Sequence, residues 1–397
     1  IRLSYFRPAH GLTPELVRLY EANRLNVTRQ LAYQTGSTRT IDLGLFVNGL
    51  LVATAELKNA LTGQSVEDAI NQYRTDRDPN APALSRRALV HFAVDTERVA
   101  MTTRLAGEST RFLPFNLGSG GGAGNPANPN GHRTAYLWER IWQRDAWLDL
   151  LARFVHVEQP AKGSKAAPQV IFPRLHQWDA VLALESDTRA RGAGQKYLVQ
   201  HSAGSGKSNT IAWLAHRLSS LHDAADTKVF DKVIVITDRV VLDKQLQETI
   251  YQFEHAHGVV AKIDEHSRQL VEALAGQQSR IVITTLQKFP QILDKVTELG
   301  QHRYAVIVDE AHSSQTGEAA KDLRLALGAT EEQELTVAEA EDMGLIATPV
   351  DPVEEALAKA VAARGMPANL SFFAFTATPK AKTLELFGTK DTASNRF

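Results

Sequence analysis

The 397-residue chain has no cysteine, only three methionines and no long apolar run. The absence of cysteine excludes disulfides and zinc held by thiolates, and it suits a reducing, cytoplasmic location. No segment approaches the roughly 18 apolar residues that would span a bilayer, and the first residues do not resemble a secretory signal. We therefore expect no membrane partner. The chain begins at Ile1 and not at methionine, so whether it is a fragment stays open.

The chain also lacks an excess of charge of either sign, since its formal net charge is −1. It is therefore not a basic protein, and any binding of nucleic acid must come from local patches or grooves. Its hydrophobic share of 43% is that of a globular protein. The length suits two or three domains of ordinary size.

The first part of the chain mixes short strands with helices and ends in a low-complexity segment. Helices are predicted over the ranges 14–23, 66–74 and 137–154. The Gly-, Asn- and Pro-rich stretch 116–132 is predicted to be a loop. The segment 158–170, which contains EQPAKGSKAAPQ, is typical of a linker. We therefore predict a first domain over residues 1–157.

From residue 196 onward, short β-rich runs alternate with amphipathic helical stretches. The runs are YLVQ (197–200), VIVIT (233–237), RIVIT (280–284), YAVIVD (304–309) and FFAFT (372–376). This alternation predicts a parallel sheet covered by helices on both faces. We predict a second domain over 171–397. Within it, the acidic, Ala-rich segment 329–365 is longer than an ordinary loop, and we expect a partly helical insertion with a spacer role.

A glycine-rich loop follows the first of these strands. The loop HSAGSGKSNT (201–210) lies between the strand YLVQ and a predicted helix, which is the context of a phosphate-binding P-loop. Backbone N–H groups of such a loop surround the phosphates, and the helix N-terminus adds a favourable partial charge. His201 stands where the full pattern has glycine. A GSGKS string also arises by chance, but its flanking strand and helix favour the nucleotide site.

The residues of this loop receive separate predicted roles. Lys207 would reach the β- and γ-phosphates of ATP, and the Ser208 hydroxyl would bind Mg²⁺. The backbone would cradle the phosphates at Gly204, Ser205 and Gly206.

A second motif supports the nucleotide site. The apolar strand YAVIV is followed by Asp309 and Glu310. Asp309 is placed to hold the Mg²⁺ of the nucleotide, and Glu310 to orient the attacking water. A single acid at a strand end is more often a turn or a helix cap. Combined with the P-loop, the pair predicts an ATPase.

Several motifs resemble the signatures of superfamily-two helicases, in the order of that family. They are FPRLHQWDAV (172–181), TDRVVLDKQ (237–245), TTLQKF (284–289), DEAH (309–312) and FTATP (375–379). The resemblance implies that Gln177 reads the adenine base. It also implies a second RecA-like lobe, which the sequence up to Phe397 does not include. We therefore expect nucleotide binding but little hydrolysis and no translocation by this chain alone.

Three charged residues stand in the otherwise apolar stretch TIDLGLFVNGLLVATAELKNA (40–60). Glu56 and Lys58 share one face of a strand, because side chains alternate. Asn48-Gly49 predicts a hairpin turn. A regular two-residue turn would pair Asp42 with Ala55 and would direct Asp42 away from Glu56. We therefore predict an odd-length loop at 47–50, or a bulge within the hairpin, which brings Asp42 to Glu56.

An Asp, a Glu and a Lys on one face suit a metal-dependent phosphodiesterase. The two carboxylates would bind Mg²⁺, and the lysine would hold the attacking water or the transition-state charge. An ordinary surface Glu–Lys pair is an equally good interpretation of the residues alone. The arrangement of Asp42, Glu56 and Lys58 resembles the PD-(D/E)xK nuclease core.

The surrounding sequence is similar to the N-terminal region of type I restriction enzyme motor (R, or HsdR) subunits. The similar stretches include NRLNVTRQLAY, GLFVNGLLVATAELKNA, HFAVDTERVAMTTRLAG and YLWERIWQRDAWLDLLARFVHVE. The resemblance implies that Asp42, Glu56 and Lys58 form the nuclease triad and that Gln72 belongs to an accessory Q-xxx-Y motif. The motif tyrosine is missing, because Tyr73 follows Gln72 directly and Asp76 occupies the fourth position after it.

The resemblance also implies the fold class and the activity. The fold is α/β: a PD-(D/E)xK nuclease-like mixed sheet with flanking helices, then a RecA-like parallel sheet with helices on both faces. The activity is Mg²⁺-dependent cleavage of double-stranded DNA by an ATP-driven translocating subunit, with methyltransferase (M) and specificity (S) subunits as partners. Near-neutral charge suggests that DNA affinity depends on that assembly.

Two alternatives stay open at this point. One is a repair or replication helicase–nuclease that acts without a methyltransferase partner. The other is a DNA-dependent ATPase that keeps a nuclease-like fold only for binding and assembly.

Overall fold

The computed structural model describes most of the first 252 residues and, beyond them, the strands of a sheet. The described residues are 3–120, 122–160, 167–202, 204–237, 240–252, 259–262, 273, 276, 279–285, 302–309 and 368–376. The chain divides into an N-terminal unit, Ile1–Ala183, and a C-terminal unit, Leu184–Phe397. The predicted insertion 329–365 lies outside the described residues, and the predicted domain boundaries stay predictions. Among the described helices, none combines the length and hydropathy that crossing a membrane requires.

The N-terminal unit is built on a six-stranded mixed sheet in the order β1-β2-β3-β4-β5-β6. The strands are β1 (Leu25–Ala32), β2 (Thr40–Val47), β3 (Leu50–Leu57), β4 (Val90–Val94), β5 (Val99–Thr102) and β6 (Leu113–Pro114). Strands β3 and β4 are parallel, whereas the other neighbours are antiparallel. The predicted mixed sheet is confirmed.

Helices and single π-helical turns flank this sheet. They are α1 (Pro14–Glu21), α2 (Val66–Asn71) and α3 (Arg144–Arg153), with π-turns at Gln72–Asp76, Ala83–Arg87 and Leu137–Ile141. Aromatic side chains fill the core against β4. The centre of the Phe92 ring lies 5.6 Å from the centre of the Phe115 ring and 6.0 Å from that of the Phe172 ring. These three side chains are buried.

The predicted aromatic helix over 137–154 is wrong as a single helix. It is divided into the π-turn Leu137–Ile141 and the helix α3, with Gln143 in an extended conformation between them (φ −69°, ψ 145°). The π-turn closes when the Trp142 N–H donates to the Leu137 carbonyl. The Gln143 side-chain amide donates to the Trp138 carbonyl at 2.6 Å. Local hydrogen bonds thus replace those that a continuous helix would make.

The two ends of the segment predicted to be a linker pair with each other. Strand β7 (His156–Glu158) lies antiparallel to β8 (Gln169–Ile171). The long helix α4 (Leu175–Arg191) follows, and the division between the two units falls within it. The segment between β7 and β8 thus begins and ends at a two-stranded ribbon of the N-terminal unit.

The hairpin of β2 and β3 has the two-residue turn that Asn48-Gly49 predicts. Both residues have positive φ, 51° for Asn48 and 83° for Gly49. Two successive left-handed residues are the pattern of a type I′ turn, whose twist matches that of paired strands. The turn alone would set the register that separates Asp42 from Glu56.

A bulge corrects that register, as predicted. The pairs next to the turn are Val47–Leu50 and Phe46–Leu51, and those beyond the bulge are Leu45–Ala53, Gly44–Thr54 and Leu43–Ala55. Val52 is the extra residue, and it has no partner of its own on β2. The next pair in the shifted register joins Asp42 to Glu56. The predicted convergence of the two acids on one face is therefore confirmed.

The C-terminal unit contains a six-stranded parallel sheet in the order β11-β12-β10-β13-β14-β9. The strands are β9 (Lys196–Gln200), β10 (Lys232–Thr237), β11 (Val260–Lys262), β12 (Ile281–Thr285), β13 (Tyr304–Val308) and β14 (Leu370–Thr376). The helices α5 (Lys207–Ser219) and α6 (Val240–Gln252) connect β9 to β10 and β10 to β11. All five strands predicted for this region are confirmed. Every residue of β10, β13 and β14 is buried, as expected for parallel strands covered on both faces.

We expect Gly49→Ala to lower the free energy of unfolding by about 1–2 kcal/mol, because an L-residue is strained in the left-handed region. No atom lies within 4 Å of the position that the new Cβ would take, so the loss is purely conformational. Gly124→Ala is the matched control, since Gly124 also faces open space but has no positive φ. Urea denaturation followed by circular dichroism measures both. Equal losses in the two variants would contradict the type I′ turn.

Candidate active sites

Asp42 links the two strands of the bulged hairpin. Its Oδ2 accepts a hydrogen bond from the Leu57 N–H at 2.8 Å, and its Oδ1 accepts one from the Gln30 side chain at 3.1 Å. Asp42 is half-buried, whereas Glu56 is fully buried. The hydrogen bonds of Asp42 therefore fix its carboxylate beside Glu56, the residue opposite it in the shifted register.

Glu56 has one paired and one unpaired carboxylate oxygen. Its Oε1 accepts a hydrogen bond from Arg77 Nε at 2.7 Å, while the buried Oε2 has no hydrogen-bond partner. Burial, together with the charge of Asp42, raises the pKa of Glu56 to about 7, although Arg77 opposes both effects. A buried oxygen that lacks a partner and faces a second acid is costly unless a proton or a cation satisfies it.

The two acids fit a divalent cation as a pair of ligands. Mg²⁺ is commonly held by one or two carboxylates, with water or phosphate oxygens completing its shell. Within the part of the chain that the structure describes, no group of three or more His, Cys, Asp or Glu side chains is placed to hold a metal. A metal at Asp42 and Glu56 would therefore take its other ligands from backbone, water or substrate oxygens.

Lys58 and Gln72 also meet at this site. The Lys58 ammonium donates a hydrogen bond to the Gln72 side-chain oxygen. Gln72 is the first residue of the π-turn Gln72–Asp76, which directly follows α2. The four residues that the sequence predicts for the nuclease site thus form two contacting pairs, Asp42 with Glu56 and Lys58 with Gln72.

Tyr73, which breaks the Q-xxx-Y pattern, lies beneath the site and not in it. It is fully buried, and its hydroxyl lies 2.8 Å from the Thr54 hydroxyl, which in turn lies 2.7 Å from His91 Nδ1. Burial lowers the pKa of His91 to about 4 and raises the pKa of Tyr73 well above its usual value. Both side chains are therefore neutral, and the chain of hydrogen bonds anchors the π-turn to β3 and β4.

Arg77 is the site residue that sequence reasoning missed. It directly follows the π-turn and is buried against Glu56. The signal available in the sequence was charge: two acids in an apolar hairpin had only one predicted cation, Lys58, beside them. A second cation was therefore to be expected nearby, and QYRTDR (72–77) contains two arginines.

The C-terminal unit contains the predicted nucleotide site. Gly204 and Gly206 have φ of 73° and 83°, so both use the left-handed region that glycine permits. The helix α5 begins at Lys207 immediately after them, with Ser208 in its first turn. Its N-terminal N–H groups and the loop backbone at Ser205 are what a bound phosphate needs.

Lys207 lies close to the acid at the end of β13. Its Nζ is 3.6 Å from Asp309 Oδ1. Strands β9 and β13 are both neighbours of β14 in the parallel sheet, so the residues after their carboxyl ends lie at the same edge. Burial lowers the pKa of Lys207, and Asp309 opposes that shift. The structure brings Lys207 and Asp309 together, whereas Glu310 lies outside the described residues.

Gln177 has a structural partner in the N-terminal unit. It is the third residue of α4 and is buried, and its Oε1 accepts a hydrogen bond from the Arg174 N–H at 2.8 Å. A glutamine near the start of a helix that reaches back to the preceding backbone is one half of a capping box. Adenine recognition by Gln177 stays a prediction.

We expect the free energy of unfolding to fall by a few kcal/mol between about pH 4.5 and pH 7 because of Glu56. Its pKa is raised from 4.5 to about 7 on folding, so the folded chain binds an extra proton in this range and loses stability as that proton leaves. Glu56→Gln is expected to remove this fall, whereas Glu67→Gln, at an exposed glutamate of the same unit, retains it. Urea denaturation at several pH values in EDTA tests this. Parallel profiles for the wild type and Glu56→Gln would contradict it.

Two family models match separate parts of the chain. Residues 17–110 match the type I restriction enzyme R protein N terminus, and residues 176–395 match the SWI2/SNF2 ATPase. The first match contains Asp42, Glu56, Lys58 and Gln72, and the second contains the P-loop and Asp309.

Curated relatives that match about three quarters of this chain are longer proteins. A type I restriction enzyme endonuclease subunit of Staphylococcus aureus (strain MSSA476) is 27% identical over 305 residues, which cover 75% of this chain and 30% of that subunit. The HindI endonuclease subunit of Haemophilus influenzae is 26% identical over 327 residues, covering 76% of this chain and 29% of that subunit. This chain thus spans about 30% of the length of these relatives.

Among solved structures, the UvsW helicase from bacteriophage T4 matches over 62% of this chain and 65% of that chain, with 14% identity and a TM-score of 0.34. The fold assignment rests on the strand order and the domain matches instead. The chain belongs to the SWI2/SNF2 ATPase family, and it joins to its ATPase domain the N-terminal domain of type I restriction enzyme R proteins.

Proposed function

We propose that the N-terminal unit is a Mg²⁺-dependent nuclease for double-stranded DNA within a type I restriction endonuclease subunit. One observation carries this proposal: the bulge at Val52 aligns Asp42 with Glu56, beside the unpartnered Glu56 Oε2. A buried carboxylate oxygen beside a second acid needs a proton or a cation to satisfy it. Lys58, two residues after Glu56, contacts Gln72 and would meet a phosphate that approaches the metal.

Each residue would have a distinct task. Asp42 and Glu56 would hold the metal ion, which when bound polarises the scissile phosphate and lowers the pKa of a coordinated water. Lys58 would stabilise the negative charge that develops on the phosphate. Gln72, which accepts a hydrogen bond from Lys58, would keep the ammonium directed towards that charge.

We expect Asp42→Asn, Glu56→Gln and Lys58→Ala each to lower DNA cleavage by roughly 100-fold or more. Removing even an outer-shell partner of a metal site costs about 10- to 100-fold, so a ligand or a charge-stabilising lysine should cost at least as much. The measurement is nicking and linearisation of supercoiled plasmid with Mg²⁺ or Mn²⁺, with EDTA as the blank.

Glu67→Gln is the control for this assay, because Glu67 is an exposed acid of the same unit, paired with Arg98. Cleavage that is lost in the three site variants and kept in this control supports the proposal. If the wild-type chain shows no cleavage, Mn²⁺ binding that depends on Glu56 would indicate an intact site that awaits the assembled enzyme. If there is neither cleavage nor Mn²⁺ binding, the acids are structural and the nuclease proposal fails.

We further propose that the C-terminal unit binds Mg²⁺–ATP and, in the longer protein, uses its hydrolysis to translocate DNA. The loop at Gly204 and Gly206 would surround the phosphates, with Lys207 at the β- and γ-phosphates. Ser208 and Asp309 would hold the nucleotide's Mg²⁺, and Glu310 would orient the attacking water. The Lys207–Asp309 distance of 3.6 Å supports this assignment, because both side chains reach the same point at the sheet edge.

We expect Lys207→Ala to weaken ATP binding at least about tenfold, since a charge-assisted hydrogen bond to phosphate contributes about 1.5–3 kcal/mol. Equilibrium titration with a fluorescent ATP analogue in Mg²⁺ measures the affinity. Lys196→Ala is the control, because Lys196 is an exposed lysine at the start of β9, away from the loop end of that strand. Equal affinities for the wild type and Lys207→Ala would contradict the P-loop assignment. Little hydrolysis is expected from the chain alone.

The partners follow from the same proposal. The relatives are named as endonuclease subunits of type I restriction enzymes. We infer that the longer protein joins methyltransferase (M) and specificity (S) subunits and acts on duplex DNA in the cytoplasm. The net charge of −1 fits a subunit that depends on such partners for most of its DNA affinity.

A further inference from the structure

The buried ion pair between Arg77 and Glu56 has no place in the predicted triad. The side chains are 5% and 0% exposed, and Arg77 Nε lies 2.7 Å from Glu56 Oε1. Charged side chains are almost never this deeply buried unless they are paired, and breaking such a pair leaves the remaining charge uncompensated. Arg77 therefore sets the electrostatic environment of the acid that would bind the metal.

Arg77 is held in this position from three directions. Besides the contact with Glu56, its Nη2 donates to the Thr40 carbonyl at 2.8 Å. Its guanidinium also lies 5.8 Å from the centre of the Tyr33 ring. Thr40 is the first residue of β2, two positions before Asp42, so Arg77 contacts both strands that supply the acids. A planar guanidinium with several fixed partners has little freedom to turn away.

The π-turn explains how one short segment contacts both Glu56 of β3 and Lys58, which directly follows that strand. Gln72 begins the turn and bonds to Lys58, and Arg77 follows its end and bonds to Glu56. In an α-helix, residues five apart would lie roughly 140° apart around the axis. The i→i+5 bonding of a π-turn brings such residues back towards one side. The turn thus directs Gln72 and Arg77 to two charged residues at the C-terminal end of β3, Lys58 and Glu56.

With Arg77 included, the two acids of the site retain a single formal negative charge. Arg77 pairs with Glu56 and cancels its charge, so Asp42 supplies the charge that remains. Lys58 contacts Gln72 and lies near Asp68. A divalent cation that enters this site would leave an excess of one positive charge. Phosphates of DNA would cancel that excess, so the cation and DNA would each favour binding of the other.

We propose that Arg77 is a positioning residue that neutralises Glu56 and thereby makes metal binding at Asp42 and Glu56 dependent on bound DNA. This inference rests on the proposed nuclease function and adds to it the order of events at the site. In the absence of DNA, Arg77 neutralises Glu56 and leaves the metal only one uncompensated carboxylate, that of Asp42. With DNA bound, the phosphate offsets the charge of the metal and the metal binds.

The test is the affinity of the chain for Mn²⁺, measured by electron paramagnetic resonance at pH 8, with and without a short DNA duplex. ATP is left out, so that the nucleotide site does not bind the ion in complex with ATP. For the wild type we expect duplex DNA to tighten Mn²⁺ binding about tenfold or more, within the usual range of coupling between sites. Equal affinity with and without DNA would overturn the proposal.

Variants of Arg77 assign the effect to its charge. Arg77→Gln is expected to tighten Mn²⁺ binding about tenfold in the absence of DNA and to reduce the gain from DNA. Arg77→Lys retains the charge and is expected to keep the weak, DNA-dependent binding. Arg98→Gln is the matched control, because Arg98 is an exposed arginine paired with Glu67, and it should behave as the wild type. Unchanged Mn²⁺ affinity in a folded Arg77→Gln would overturn the proposal.

Two further comparisons distinguish failure of this inference from failure of the nuclease proposal. If Arg77→Gln does not fold, the wild-type measurement and Arg77→Lys still decide the question. Asp42→Asn tests the nuclease assignment itself: if this variant binds Mn²⁺ as tightly as the wild type, both the nuclease proposal and this inference are wrong. If Mn²⁺ binding requires Asp42 but its affinity changes neither with DNA nor with substitution of Arg77, this inference alone is wrong.

Discussion

One unpaired residue in β3, Val52, determines the chemistry available to the N-terminal unit. The type I′ turn at Asn48-Gly49 fixes the register next to it, and that register would direct Asp42 and Glu56 to opposite faces of the sheet. The bulge shifts the pairing by one residue and brings both acids to one face. A tight turn and a correctly aligned acid pair are therefore compatible only because β3 contains one residue, Val52, that has no counterpart on β2.

The bulge also creates an electrostatic problem, because Glu56 becomes fully buried beside a second acid. The π-turn after α2 compensates the buried charge, because it directs Arg77 to Glu56 and also brings Gln72 to Lys58. The neutral hydrogen-bonded chain through Tyr73 fixes this turn from below. Glu56 Oε2 still lacks a partner, so the site retains an unsatisfied oxygen where the proposed metal would bind. A buried polar atom without a partner calls for an explanation, and a catalytic role or a bound ion is one.

The elements that follow from local patterns were predictable. Alternating β-rich runs predicted five of the six parallel strands, all but the short β11, and the need to align Asp42 with Glu56 predicted the bulge. The π-turn and Arg77 were missed, because hydrophobic periodicity distinguishes periods of 3.6 and 2 but does not mark one wider turn. The division of the helix over 137–154 was missed for the same reason, since its aromatic residues continue on both sides of Gln143. The capping bond of Gln177 depends on where α4 begins, and sequence patterns locate helix ends poorly.

The two candidate sites share one electrostatic arrangement, although they lie on different folds. In the C-terminal unit, Lys207 lies 3.6 Å from Asp309, and in the N-terminal unit Arg77 lies 2.7 Å from Glu56. Under the proposed function, each acid faces a metal ion and Lys207 faces a phosphate. Each pair thus balances its own charge without a ligand, and a phosphate together with its metal replaces that balance. A metal alone would gain little at either site, because a cation already neutralises the acid that would bind it. The paired cations therefore favour binding of metal and phosphate together, which would restrict both reactions to the fully assembled substrate complex.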